Sequence, residues 1–403
     1  MPDIVVTADR LFDGTGAATL VRPTVTISGD RIDRVERDLL PPTGDSSGRF
    51  HFPGCTILPG LIDTHVHLVM SALPTNEAII AQVERESDGE LLTRGLANAK
   101  AALASGLTTV RDCGGRGRVV QNIRDRIRSG QAEGPDVLAC GAPITTRTGH
   151  CHWLGLIADT KDQVHDAALR MLAEDADFLK VMATGGNMTP SSDPMKAQYD
   201  AEALALIADI GREAGKHAAA HVLSQAALPS VVAARYRTIE HCDWRVEEFR
   251  YQFEPKLARR MVEQEQYVGL TMSGLARRHF LPEIRNNPSG PVRRLDMRFA
   301  CERQMLDFGV SYTLHSDAGV RLTPIERFDL GLRAAQIELK LTPAEILVAV
   351  TRTPAIALGL TDRGTVQPGK RADLLVVEGD PLHDLACLEN VRAVMKAGVW
   401  VKK

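Results

Sequence analysis

Short apolar runs broken by Gly, Pro, Asp and Ser clusters, with no helical period, occupy the chain from Ile4 to about Leu58. The runs IVVTA, TVTIS, DRIDRVE and HFPGCTIL predict β-strands. The same texture returns in GTVQPGKRADLLVVEGD and NVRAVMKAGVWV, so both chain ends are expected to build one small sheet layer. Between them, from Gly60 to about Gly359, apolar runs alternate with amphipathic segments, the pattern of β/α units closing a parallel sheet. Eight strand candidates can be read: LIDTHVHL, GLTTVRDC, DVLACGAP, FLKVMAT, KHAAAHV, RTIEHC, YVGLTM and VSYTLHSD. Leu92, Leu96, Ala99 and Leu103 share one face of a helix expected over 91–104, which stops at Gly106. Thr342, Pro343 and Glu345 spell a capping box before Ile346, Leu347 and Val350. Eight strands with intervening helices predict an α/β fold of the TIM (β/α)8 type.

In such a barrel the chemistry sits at the C-terminal ends of the strands, and there the chain carries residues able to hold a divalent metal. His65 and His67 are two apart, so a strand presents both on one face while Val66 points to the other. Lys180, His221, His241 and Asp317 close later strands. Paired neutral imidazoles are the beginning of a nitrogen-rich site suited to Zn²⁺.

Composition narrows the classes. The 403 residues, 44% hydrophobic and 25% charged, suit a soluble globular protein. Forty-eight Lys and Arg against 51 Asp and Glu give a net charge of -3, without the basic surplus of a nucleic-acid binder. The start, MPDIVVTADRLFDG, does not read as a signal peptide, and no run approaches 18 apolar residues, so no membrane association is expected. Seven scattered cysteines without a CxxC pair point to reduced thiols and a cytoplasmic location. Cys151 and Cys242 neighbour histidines, and alternation is expected to turn both away from the site.

PGLIDTHVHL, FLKVMATGGNMTP, AAAHV, RTIEHC, SDAG and PGKRADLLVV together resemble the amidohydrolase superfamily, in the branch related to imidazolonepropionase that holds prolidase-like dipeptidases and ochratoxinase-like amidases. The resemblance covers nearly the whole chain. It implies a distorted TIM barrel over 59–359 with a small β-sandwich built from 1–58 and 360–403. It implies a homo-oligomer and a binuclear metal centre, with Zn expected first and Mn or Co as alternatives. His65, His67 and Asp317 would hold one ion, and His221 and His241 the other. A protonated lysine cannot ligate, and the resemblance implies that Lys180 carries a CO₂-derived carbamate bridging both ions with a hydroxide, the nucleophile. Asp317 would take the water's proton and pass it to the leaving amine. Three departures from the branch stand out: His315 and Ser316 before Asp317, Ser224 where deaminases of the superfamily have the glutamate of HxxE, and the bulky Arg235 and Tyr236.

Loops supply further candidates. In TRTGHCHWLG, His150 is a candidate to hydrogen-bond the scissile carbonyl oxygen, with His152 and Trp153 near the pocket mouth. Gly185 and Gly186 lie in TGGNMTP, which lacks the GKS or GKT ending of a phosphate loop and is expected to shape the substrate site. Arg277 and Arg278 open an arginine-rich stretch, Arg285, Arg293, Arg294 and Arg298 following, which suits either a carboxylate-bearing substrate or a solvated surface. The expected activity is hydrolysis of the amide or peptide bond of a small molecule such as a dipeptide, an N-acyl amino acid or an aromatic amide. Carbamate, ester, lactone or cyclic amide hydrolysis, ring deamination and a catalytically silent scaffold are the alternatives.

Overall fold

A computed structural model describes residues 3–37, 48–247, 250–280 and 295–402. The eight expected barrel strands are Leu61–Val66, Leu107–Asp112, Asp136–Ala139, Phe178–Met182, His217–His221, Thr238–Glu240, Tyr267–Thr271 and Ser311–His315. Strands one to three pair in parallel, as do four to eight. Two joints complete the ring: a parallel bridge Val66↔Ala318 between the first and eighth strands, and the Asp177 N–H donating to Ala139 O (2.8 Å) between the third and fourth. Most residues of these strands are buried, and those of the first, second, fourth and sixth entirely so, because helices cover the outside while side chains fill the inside.

The helix expected from Leu91 begins three residues earlier, at Asp88. Ser87 and Glu90 form a capping box there, and Gly106 follows the end with φ +98°. The Thr342–Glu345 capping box opens Pro343–Val348.

Both chain ends meet in one hydrogen-bonded sheet. Ile4–Leu11 runs parallel to Arg49–Pro59, and Leu374–Glu378 pairs antiparallel with the same Arg49–Pro59 strand. Its own core includes Val6, Ile27, Ile57, Val376 and Met395. The expected sandwich thus takes the form of a single sheet path among the described residues. Arg49–Pro59 passes straight into the first barrel strand through Gly60, where a Cβ would lie 2.2 Å from the Thr108 hydroxyl. Sheet and barrel are locked at the start of the third strand, where Asp136 meets Arg363 (2.6 Å), Lys396 (2.9 Å) and Arg371. No described helix is long and apolar enough to cross a membrane.

Candidate metal centre and active site

A cavity of about 470 Å³ opens at the C-terminal end of the barrel and is lined by His65, His67, Lys180, His221, His241 and Asp317. Each reaches it by a different local device. His65 is the fifth residue of the first strand and His67 follows its end, as the alternation requires. His221 closes the fifth strand. His241 and Asp317 stand one and two residues past their strands with φ +67° and +56°. That left-handed backbone is costly for residues with a Cβ, and it turns both side chains over the strand ends. Hydrogen bonds hold the turns: His241 N–H donates to Gly269 O (2.8 Å) and Asp317 N–H to His65 O (2.9 Å). Lys180 departs from the expectation of a strand-end position. It lies mid-strand in Phe178–Met182 and sends its long stem up the interior, 2% exposed.

The far nitrogens of the imidazoles are fixed by acceptors behind them. His67 Nδ1 faces Gly114 O (3.1 Å), which can only accept, so Nδ1 carries a proton, and Nε2 lies 3.4 Å from Asp317 Oδ1. His65 Nδ1 lies 3.1 Å from Glu240 Oε2, leaving Nε2 3.6 Å from Asp317 Oδ1. His241 Nδ1 meets Thr271 Oγ1 at 2.6 Å. The His221 ring centroid lies 4.6 Å from that of His241, and the two histidine pairs meet through a 5.2 Å His65–His241 contact. Burial holds His65, His221 and His241 well below the usual histidine range, with the Lys180 charge acting the same way, so these imidazoles are neutral and able to donate electron pairs. For His67, burial is outweighed by the hydrogen bond and charge of Asp317, and its pKa is raised.

Beneath the rings lies a buried polar layer. Arg111 donates to Glu240 Oε1 (2.6 Å), Thr238 Oγ1 (2.9 Å) and Thr64 O (2.6 Å). Burial would raise Glu240, but the charges of Arg111, Lys180 and His315 bring it down to about 2. Gly269 makes room for this layer, since a Cβ there would stand 2.8 Å from both Glu240 and His315. The unusual His315 stacks on His65 with centroids 4.7 Å apart and meets Thr271 at 3.1 Å, while Ser316 donates to Asp63 across the first and eighth strands. Both lie behind the cavity wall.

The donor set suits divalent cations. The imidazoles of His65 and His67 and the Asp317 carboxylate converge within 4.8 Å. Lys180 Nζ, His221 Nε2 and His150 Nδ1 are buried with no hydrogen-bond partner. Lys180, His221 and His150 all line the one cavity, where a charged group could satisfy them.

The loop candidates separate. His150 lines the cavity, 4.5 Å from the His221 ring, and burial pushes it down to about 3. His152, Trp153, Gly185 and Gly186 are absent from the described wall. His152 Nδ1 turns back to Gly149 O (3.0 Å), and the Trp153 indole reaches toward Thr189. A Cβ on Gly186 would lie 2.4 Å from the His150 ring, and one on Gly185 would lie 2.1 Å from Asp193 O, so these glycines serve close packing. The TGGNMTP loop reaches the cavity through Asn187 and Met188 instead. Cys151 was expected to face away, yet it lines the wall, because it sits in a turn with φ +54° where strand alternation does not apply. The side chains of Arg277 and Arg278, with Arg285, Arg293 and Arg294, lie outside the described residues. Tyr236 is a buried prop whose hydroxyl donates to Leu204 O (2.9 Å). Sequence reasoning missed Asn76, Asp243, Arg245, Tyr251 and Val320 on the wall, because no strand period or motif marks them.

Residues 56–401 match the model of the Amidohydrolase family. Ochratoxinase of Aspergillus niger is 26% identical over 386 residues, covering 85% of this chain and 74% of that protein. Imidazolonepropionase of Deinococcus radiodurans is 37% identical over 97 residues, 24% of each chain. In fold, the chain matches a crystal structure of a Xaa-Pro dipeptidase with bound methionine in the active site, at a TM-score of 0.85, 23% identity and full coverage of both chains.

Proposed function

The chain belongs to the amidohydrolase family, metal-dependent hydrolases of carbon–nitrogen bonds, and on that footing we propose that it cleaves the amide or peptide bond of a small substrate at a binuclear centre. The convergence of six candidate ligands on one cavity, with Lys180 Nζ and His221 Nε2 buried and unpartnered, carries this reading. His65, His67 and Asp317 would hold one ion and His221 and His241 the second, with a carbamate on Lys180 shared between them. Zn fits the nitrogen-rich set best. When bound, the cations supply Lewis acidity and lower the pKa of water from about 15.7 to about 7.

The chain's own groups supply the rest. Asp317 lies against both first-strand histidines and opens to the cavity, where its carboxylate can take a proton from attacking water and return it to the leaving amine. A neutral His150 can donate an N–H to the carbonyl oxygen as charge develops there. Met182, Met188, Leu223 and Val320 give an apolar flank for a side chain or aryl group. Ser224 stands where ring deaminases of the superfamily carry an acid, which favours amide hydrolysis over ammonia release from a ring. The free cysteines, among them the buried Cys113, Cys140 and Cys242, accord with a reducing cytoplasm.

The test is elemental analysis paired with amine release from dipeptides, N-acyl amino acids and aromatic amides. Two divalent ions per chain, removed by a chelator together with activity and restored by Zn, Mn or Co, are expected. Equal hydrolysis by metal-free protein would overturn the reading.

A further inference from the structure

Beyond the six proposed ligands, the charged residues on the described cavity wall are Asp243, Arg245, Arg298 and Arg321, three guanidiniums against one carboxylate. Three elements bring the first three together. Asp243 follows the sixth strand, Arg245 and Tyr251 face each other across a two-stranded ribbon, and Arg298 projects from the helix Leu295–Asp307. Asp243 is only 3% exposed and already shared, by Arg245 Nη2 at 3.2 Å and Arg298 Nε at 2.9 Å. Arg298 also holds the buried Glu302 at 2.7 Å. Burial pushes Glu302 up to about 7 despite that neighbour, so near neutrality the cluster leans positive. Arg245 Nε is buried without a partner, and its guanidinium lies over the Tyr251 ring at 5.8 Å.

Resting on the amide-hydrolase reading above, we propose that Arg245 and Arg298, braced by Asp243 and Tyr251, hold the carboxylate of the substrate, and that the substrate is an N-acyl amino acid rather than a dipeptide with a free amino terminus. A guanidinium fork matches a carboxylate, and Arg245 and Arg298 both line the cavity. An ammonium would meet a wall whose single carboxylate outside the ligand set is covered by two arginines. Met182, Met188 and Leu223 leave an apolar place for the amino-acid side chain or the acyl group.

Three substrates sharing one side chain test this with the metal-loaded protein: N-acetyl-L-leucine, N-acetyl-L-leucinol and glycyl-L-leucine. The expected kcat/KM for N-acetyl-L-leucine exceeds that for each of the others by about tenfold or more, the scale of a charged hydrogen bond. In Arg245→Met the acid-to-alcohol ratio falls to within about threefold, and Arg245→Lys, which keeps charge without the fork, gives an intermediate ratio. In chelator-treated protein the acid should raise the melting temperature more than the alcohol does, and Arg245→Met should remove that difference. A wild-type ratio near one, or a ratio unchanged in Arg245→Met, overturns the inference and leaves the hydrolase reading standing. Hydrolysis of none of the three by protein holding two metals also overturns the inference, and the hydrolase reading falls with it only if other dipeptides, N-acyl amino acids and aromatic amides stay uncleaved as well.

Discussion

The two ends of the barrel each hold a cluster of charge, and they are built to opposite rules. At the N-terminal end Asp136 is gripped by Arg363, Arg371 and Lys396; Arg363 also meets Asp362 and Thr109, and Arg371 meets Asp373. Every charge there has a partner, and the cluster joins the barrel to the sheet made from both chain ends. At the C-terminal end Lys180, His221 and His150 each keep a buried nitrogen without one, and His241 and Asp317 sit in left-handed backbone. A saturated cluster fixes a fold, whereas an unsaturated one is held ready for something the polypeptide does not supply.

Substitutions should separate the two ends. The largest effect is expected from Asp317→Asn, which keeps the shape but removes the proton acceptor: kcat should fall about 10² to 10⁴-fold while metal content falls far less. Steady-state kinetics beside elemental analysis read this, and full activity in the variant would disprove the role. Lys180→Met should abolish metal binding and activity yet stabilise chelator-treated protein by about 1–3 kcal/mol, because an unpartnered buried amine is replaced by an apolar group of similar length. A lower melting temperature than chelated wild type would contradict that.

Asp136→Asn should do the reverse. It loses about 1–3 kcal/mol of stability, allowing for the carboxylate's partial exposure, with kcat/KM per folded molecule unchanged. Denaturant melts with active-site titration distinguish these outcomes. The smallest effect is a pH dependence of the same variant. Burial would raise Asp136, but Arg371, Lys396 and Arg363 hold it below the ordinary carboxylate range. Its contribution is therefore present above the unfolded pKa of about 3.9 and lost as pH falls toward the folded value. The gap between wild type and Asp136→Asn should narrow in acid, and a gap that widened would show that the cluster is not what Asp136 stabilises.

How much of this was legible in the letters depends on whether a residue lies in a periodic element. His65, His67 and His221 could be placed because strand alternation fixes which face a residue takes. Lys180 was named but set at a strand end, since counting along an apolar run does not say where hydrogen bonding stops. Cys151 was misjudged for the same reason: alternation was applied to a turn. His152, Trp153, Gly185 and Gly186 were read as pocket residues from their place in loops, and a loop's direction follows from its packing, as the contact of Gly186 with the His150 ring shows.

The sequence by itself determined the (β/α)8 order, the pairing of the two chain ends in one sheet layer and the set of metal-competent side chains, because hydrophobic period and strand count are local properties. Only the tertiary structure decided that Glu240 and Arg111 support those side chains from below, that Arg245, Tyr251 and Arg298 meet at the cavity wall, and that Asp136 locks barrel to sheet. Most of these groups lie far apart in the chain, and only the closure of the barrel and the docking of the sheet on it bring them within range.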